Sequence, residues 1–227
     1  MFPALYAILD PSLITSPLPE FAAELVGAGV ELLQLRHKRA SARDLQVKSR
    51  ELVNQLSSLP QAVADRSRKG TASKARIIIN DRPDIAAIVG ADGVHVGQQD
   101  LPVEAARAIC GPKLWVGIST HNLEELREAA GTSADYIAVG PIFPTATKEH
   151  PDPVVGIDFL RLARQETRKP LVAIGGITIE SAAEVYRAGA NSIAVIRDLL
   201  QAKSPGDRAQ EYLDVAARSL DRTRGKS

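Results

Sequence analysis

The chain has 227 residues, 28 Lys and Arg against 27 Asp and Glu, and a formal net charge of +1. That length can bury a sizeable core, and the balanced charge gives no argument for a nucleic-acid or membrane partner. Cys110 is the single cysteine, which excludes an intrachain disulfide and a cysteine metal site and makes the cytoplasm the expected location.

The start, Met1 to Leu9, is a short apolar run without a basic leader, and no segment nears the roughly 20 apolar residues of a membrane helix. In chain order, apolar runs predict strands at Ala4 to Leu9, Leu32 to Arg36, Arg76 to Asn80, Gly93 to Val96, Trp115 to Ser119, Tyr136 to Val139, Leu171 to Ile174 and Ser192 to Val195. Amphipathic stretches lie between them. Arg43 to Leu56 places Leu45, Leu52, Val53 and Leu56 at helical spacing, behind a start near Ser41, and Leu123 to Ala130 reads the same way. Gln61 to Ala75 breaks the rhythm with its Asp65-Arg66-Ser67-Arg68-Lys69-Gly70 core. It predicts an exposed charged loop, with an anion-binding loop as the rival reading. The tail from Arg218 to Ser227 is polar and is expected to fray.

Eight alternations imply parallel strands joined by crossover helices. A repeat sharpens that reading: Gly27-Ala28-Gly29-Val30, Gly90-Ala91-Asp92-Gly93, Gly131-Thr132-Ser133-Ala134-Asp135 and Gly189-Ala190-Asn191-Ser192 precede strands two, four, six and eight. Each first glycine suits a left-handed helix end. A two-fold spacing belongs to a barrel of repeated βαβ units, so the expected architecture is one (β/α)8 TIM barrel forming a single domain over residues 1–227.

Catalytic groups of such a barrel come from the carboxyl ends of the strands. Strand two runs into Gln34-Leu35-Arg36-His37-Lys38, strand three into Asn80-Asp81, strand four into Gly97-Gln98-Gln99-Asp100, and strand five ends at Ser119. Strand six leads into Thr145, Thr147 and Lys148, whose hydroxyls and ammonium suit an anionic oxygen cluster. A polar surface turn is the plainer reading of those three alone. Asp81 and Asp100, set among Arg36, Lys38 and Lys148, suit a hard cation such as Mg2+ that bridges to an anionic substrate; helix N-caps are the alternative. Arg36 and Lys38, two residues apart in strand register, are expected to converge on one diphosphate. Gly175-Gly176 and the segment Ile196-Arg197 after strand eight allow backbone N–H groups to approach an anion.

Other signals are weaker. Gly117-Ile118-Ser119-Thr120-His121 lacks the closing glycine of a nucleophile elbow and an evident acid partner. His37, His95, His121 and His150 share no metal-ligand spacing, and His95 inside Val94-His95-Val96 reads as a satisfied core histidine. Gly27-Ala28-Gly29 precedes a strand and lacks a third glycine, so no nicotinamide cofactor is implied.

Gln34-Leu35-Arg36-x-Lys38, Asn80-Asp81, Gly93-Val94-His95-x-Gly97-Gln98-x-Asp100-Leu101-Pro102, Gly117-x-Ser119-x-His121, Gly140-Pro141-x-Phe143-x-Thr145-x-Thr147-Lys148 and Ala173-Ile174-Gly175-Gly176-Ile177 resemble, in order, the motif set of thiamine phosphate synthases. The resemblance runs from about Tyr6 to Ile196. It implies a transferase that acts on small phosphorylated substrates: it joins 4-amino-5-hydroxymethyl-2-methylpyrimidine diphosphate to 4-methyl-5-(2-hydroxyethyl)thiazole phosphate and uses Mg2+. It further implies that Arg36, Lys38, Ser119 and Lys148 are catalytic and that Asp81 and Asp100 hold the metal. Gln34, Asn80 and Ser119 would surround the pyrimidine diphosphate, and Thr145, Thr147, Gly176, Ile196 and Arg197 the thiazole phosphate. Arg197 departs from the family, which usually has a small residue there, so either its N–H alone binds phosphate or a new cation joins the site. The related thiazole tautomerases, with His121 moving protons, resemble the chain less; in the synthase His121 is at most a supporting donor beside Ser119. A catalytically silent sensor barrel is the third reading. A homo-oligomer is left open.

Overall fold

A computed structural model describes residues 2–59, 75–145 and 152–224, with 221–224 described in backbone only. The expected charged loop at 61–75 lies outside the described residues except for Ala75, which is buried.

Eight parallel strands close in sequence order: β1 (Leu5–Leu9), β2 (Leu32–Leu35), β3 (Arg76–Asn80), β4 (Gly93–Val96), β5 (Trp115–Thr120), β6 (Tyr136–Val139), β7 (Leu171–Ile174) and β8 (Ser192–Val195), the last pairing back onto β1. The barrel expectation holds, with strand ends within one residue of those read from the sequence. Helices follow the strands: α1 (Leu18–Gly27), α2 (Ala42–Ser58), α3 (Pro83–Val89), α4 (Val103–Cys110), α5 (Leu123–Gly131), α6 (Gly156–Glu166), α7 (Ile179–Arg187), α8 (Arg197–Leu200) and α9 (Pro205–Arg224). Ser41 starts α2 because its hydroxyl accepts from the Asp44 N–H at 3.1 Å.

Period two divides each strand between two cores. Leu5, Ala7 and Leu9 of β1 and Leu33 and Leu35 of β2 face the helices, in one cluster that also takes Leu45, Leu52 and Leu56 of α2. Tyr6, Ile8, Leu32, Ile78, Tyr136, Ala138, Val172 and Ala194 form a second cluster within the barrel. Burying each large aliphatic side chain stabilises by about 1.5–3 kcal/mol. Phe2 stacks on Trp115 at 5.3 Å between centroids, and the Arg76 guanidinium lies 4.2 Å from the Trp115 ring centre, so aromatic packing fills the amino-terminal mouth.

The sequence repeat has a structural reason. Asp92, Asp135 and Asn191 each accept the N–H of the preceding odd strand, from Ile77, Val116 and Leu171 at 2.9, 2.7 and 2.9 Å, and each returns its own N–H to that same residue's carbonyl. These reciprocal bonds pin successive strands in register. The glycine rule needs correction: Gly90 and Gly189 have positive φ, but at the first repeat Gly29 does so instead of Gly27, and α5 ends on extended Thr132. The tail also differs up to Arg224, residues 225–227 lying outside the described residues. Helix α9 continues to Arg224 because Ala209, Tyr212, Ala216 and Ser219 form a buried stripe.

Candidate active site

The carboxyl ends of β1 to β4 bring acid and base together. Arg36 extends β2 through its N–H to the Leu9 carbonyl, and its Nη1 lies 3.2 Å from Asp10 Oδ2. Asp10 in turn accepts from the Ser12 N–H and hydroxyl at 3.0 and 2.6 Å. Lys38 Nζ lies 3.2 Å from Asp81 Oδ2. The two cations therefore face different carboxylates, because β2 sits between β1 and β3 and each neighbouring strand ends in an Asp.

Neither metal candidate is a helix cap. Asp81 donates its N–H to the His95 carbonyl at 2.8 Å and turns through φ 61°, and α3 is capped by Arg82. Asp100 Oδ2 accepts the Gly97 N–H at 2.8 Å, while α4 begins only after Pro102. Burial lifts the Asp81 carboxyl above its ordinary pKa; Lys38 draws it back, and the hydrogen bond and charge of neighbouring Asp100 raise it further. Among the described residues no group of three or more His, Cys, Asp or Glu side chains gathers as a metal site. Two carboxylates, Asp81 and Asp100, stand next to each other there.

Gln34 and Ser119, on opposite sides of the barrel, are joined through its interior. Gln34 Nε2 donates to the Tyr6 hydroxyl at 2.8 Å, Tyr6 and Tyr136 hydroxyls are 2.9 Å apart, and Tyr136 is 3.1 Å from His95 Nδ1. His95 Nε2 is 2.9 Å from Ser119 Oγ. His95 is thus the satisfied interior histidine expected, and Tyr136 stands where a serine hydrolase would need an acid. Gln98 adds a 2.6 Å bond to the Ser119 carbonyl.

The loop after β6 reaches β7. Ile142 and Phe143 donate to the Ile174 and Gly175 carbonyls at 2.8 and 3.0 Å, which carries the ladder to within two residues of Thr145. A Cβ on Gly176, whose φ is 61°, would sit 2.4 Å from the Pro144 carbonyl oxygen. The close approach these glycines permit is therefore to the β6 loop, a role not foreseen from the sequence. Ile196 caps α8 and Arg197 opens it. Thr147, Lys148 and His150 lie outside the described residues.

His121 does not take the supporting place beside Ser119 that the motif suggests. Its Nδ1 and backbone N are 3.0 and 2.7 Å from Glu125 Oε2, and its Nε2 is 3.3 Å from Asp152. Glu125, in the first turn of α5, reaches back past the extended Asn122 N-cap to hold His121 in the loop that precedes the helix.

Residues 5–199 match the family model described as thiamine monophosphate synthase. The chain belongs to the thiamine-phosphate synthase family. It is 49% identical over 220 residues to the thiamine-phosphate synthase of Koribacter versatilis, covering 94% of this chain and 95% of that one. Against the Syntrophomonas wolfei thiamine-phosphate synthase it is 36% identical, with 95% and 97% covered. The solved thiamine phosphate pyrophosphorylase from Pyrococcus furiosus superposes with a TM-score of 0.81 at 32% identity over 96% of both chains. This is an enzyme of the same type, a transferase of thiamine biosynthesis. No helix among the described residues is long and apolar enough to cross a membrane.

Three residues that bond to the candidate site residues are not among those expected from the sequence: Asp10, Tyr6 and Tyr136. Asp10 directly follows strand one, so the strand-end rule that found Asp81 would also have found it. Tyr6 and Tyr136 occupy inward positions of apolar strands, where nothing local separates a hydrogen-bonded tyrosine from a packed one.

Proposed function

We propose that this transferase joins 4-amino-5-hydroxymethyl-2-methylpyrimidine diphosphate to 4-methyl-5-(2-hydroxyethyl)thiazole phosphate, giving thiamine phosphate and diphosphate. The observation that supports this most is the cluster of Lys38, Asp81 and Asp100 beside the Arg36 and Asp10 pair, cation and carboxylate drawn from adjacent strand ends. Such a cluster suits a diphosphate and a hard cation together.

In this reading the bond from the pyrimidine methylene carbon to the diphosphate oxygen breaks, and the electron pair leaves with diphosphate. The thiazole nitrogen lone pair then forms the new carbon–nitrogen bond. No proton has to be removed from that nitrogen. Arg36, Lys38 and Lys148 offset the charge that builds on the departing group, where fixed cations act more strongly than in water. Gln34, Asn80 and Ser119 hold the pyrimidine half. Thr145, Thr147, Gly176, Ile196 and Arg197 hold the thiazole phosphate, by hydroxyl and backbone donors.

Asp81 and Asp100 would hold Mg2+; their neighbouring acidic charges and hard oxygen donors fit it. When bound, the ion would neutralise charge on the diphosphate. A cytoplasmic location belongs to the same proposal, supported by the lone free Cys110.

The test mixes purified protein with both phosphorylated halves and Mg2+ and measures thiamine phosphate and diphosphate by chromatography. Both products in equal amounts, and only when both halves are present, are expected. Consumption of neither half would overturn the substrate assignment.

A further inference from the structure

We infer that Tyr6 and Tyr136 are positioning residues of this site: a one-way chain of hydrogen bonds from Gln34 to Ser119 holds His95 as its Nε2–H tautomer and presents the Ser119 hydroxyl as a donor to an acceptor atom of the bound substrate.

Counting protons gives the direction. Gln34 Nε2 is a donor, so the Tyr6 oxygen accepts at 2.8 Å; among the described residues the other hydrogen-bond partner of the Tyr6 hydroxyl is Tyr136 at 2.9 Å, so the single Tyr6 proton goes there. The Tyr136 oxygen then accepts from Tyr6, and its own proton goes to His95 Nδ1 at 3.1 Å. With Nδ1 an acceptor, the neutral imidazole carries its proton on Nε2 and donates to Ser119 Oγ at 2.9 Å. The serine proton has no protein acceptor among the described residues. It remains available at the carboxyl end of β5.

The path is built for these side chains. A Cβ on Gly117 would lie 2.1 Å from Tyr136 Cζ, so the ring crosses the barrel through space that any other residue would fill. The ring stacks on His95 with centroids 5.5 Å apart and meets Tyr6 edge-on at 5.9 Å. Gln34, Tyr6 and Tyr136 are 2% exposed or less, so water does not compete for the links. Burial also raises both phenols well above their ordinary pKa, which keeps each hydroxyl protonated and able to donate.

The identity of the molecule that carries the acceptor, the pyrimidine diphosphate, rests on the function proposed above; the tautomer does not. Long-range 1H–15N correlation spectra of the histidine-labelled protein read the tautomer directly, with His95→Gln identifying the His95 signals. Wild type is expected to show Nε2 protonated and Nδ1 bare. Tyr136→Phe keeps the ring and should give a tautomer mixture, with kcat/KM for the pyrimidine diphosphate lowered about tenfold and the KM for thiazole phosphate unchanged, as for one lost orienting bond. A wild-type Nδ1–H tautomer would overturn the chain, as would a Tyr136→Phe protein with the tautomer and kcat/KM of wild type. If that variant does not fold, the wild-type spectrum alone decides. The expected tautomer in a protein that does not couple these substrates would leave the chain standing and refute the functional assignment.

Discussion

Lys38 Nζ lies 3.2 Å from Asp81 Oδ2, so a cation assigned to the leaving diphosphate is paired with a carboxylate assigned to the metal. Asp81 sits at φ 61°, where Asn is tolerated and Ala is strained. Asp81→Asn and Asp100→Asn are therefore the clean tests of the acidic pair. Each is expected to lower kcat about 10²-fold, the scale of one lost preorganised electrostatic contact. Measured in a Mg2+ titration, full activity of both variants in excess EDTA would remove the metal assignment.

Asp81 also makes a prediction about stability. Its folded pKa is raised, chiefly by burial. By linkage, the contribution of such a carboxyl is fully present below its unfolded pKa and is lost as pH rises through the folded one. Asp81→Asn should then raise Tm at neutral pH, with the gain shrinking as pH falls toward about 4. Thermal melts of the two proteins across that range check it, and a lower Tm for Asp81→Asn at neutral pH would mean that the Lys38 pair outweighs the burial.

The two halves of the site should separate in binding. Arg36→Ala is expected to weaken the pyrimidine diphosphate while leaving thiazole phosphate affinity within a few-fold, since contacts without a shared partner act independently. Asp10→Asn, which loosens Arg36 without removing its charge, should have a smaller effect of the same kind. Calorimetry with each substrate distinguishes this from a reversed arrangement of the two pockets.

Gly117→Ala should destabilise the fold by about 1–3 kcal/mol or more, because the added methyl would overlap the Tyr136 ring inside a filled barrel. Gly90→Ala offers a comparison: open space surrounds it, so only its φ of 73° resists substitution. Denaturant midpoints should rank Gly117→Ala below Gly90→Ala.

His121 separates coupling from proton transfer. Held by Glu125 and Asp152, it has the surroundings of an acid–base residue, but the coupling step proposed above needs none. His121→Asn should keep most coupling activity and Lys148→Ala should lose it. A loss of about 10² to 10⁴ for His121→Asn, with Lys148→Ala and Mg2+ removal having little effect, would identify the chemistry as tautomerisation.

The alternation of short apolar runs and amphipathic stretches determined the strands, their parallel order and the end of the barrel where Gln34, Arg36, Lys38, Asn80, Asp81, Asp100 and Ser119 stand. These are local signals, set by a period of two or 3.6 residues and by the polar residues at each strand's carboxyl end. The stripe of Ala209, Tyr212, Ala216 and Ser219 is equally local, yet the polar residues around it hide a helix whose stability comes from packing on α7 and α1. Only the tertiary structure decided which acid faces Arg36 and which faces Lys38, because periodicity gives a side chain its face and not its partner. The same holds most strongly for Tyr6 and Tyr136. They are 130 positions apart in the chain, and their hydroxyls meet because closing the barrel brings β1 and β6 across one interior and Gly117, having no side chain, leaves room for the Tyr136 ring.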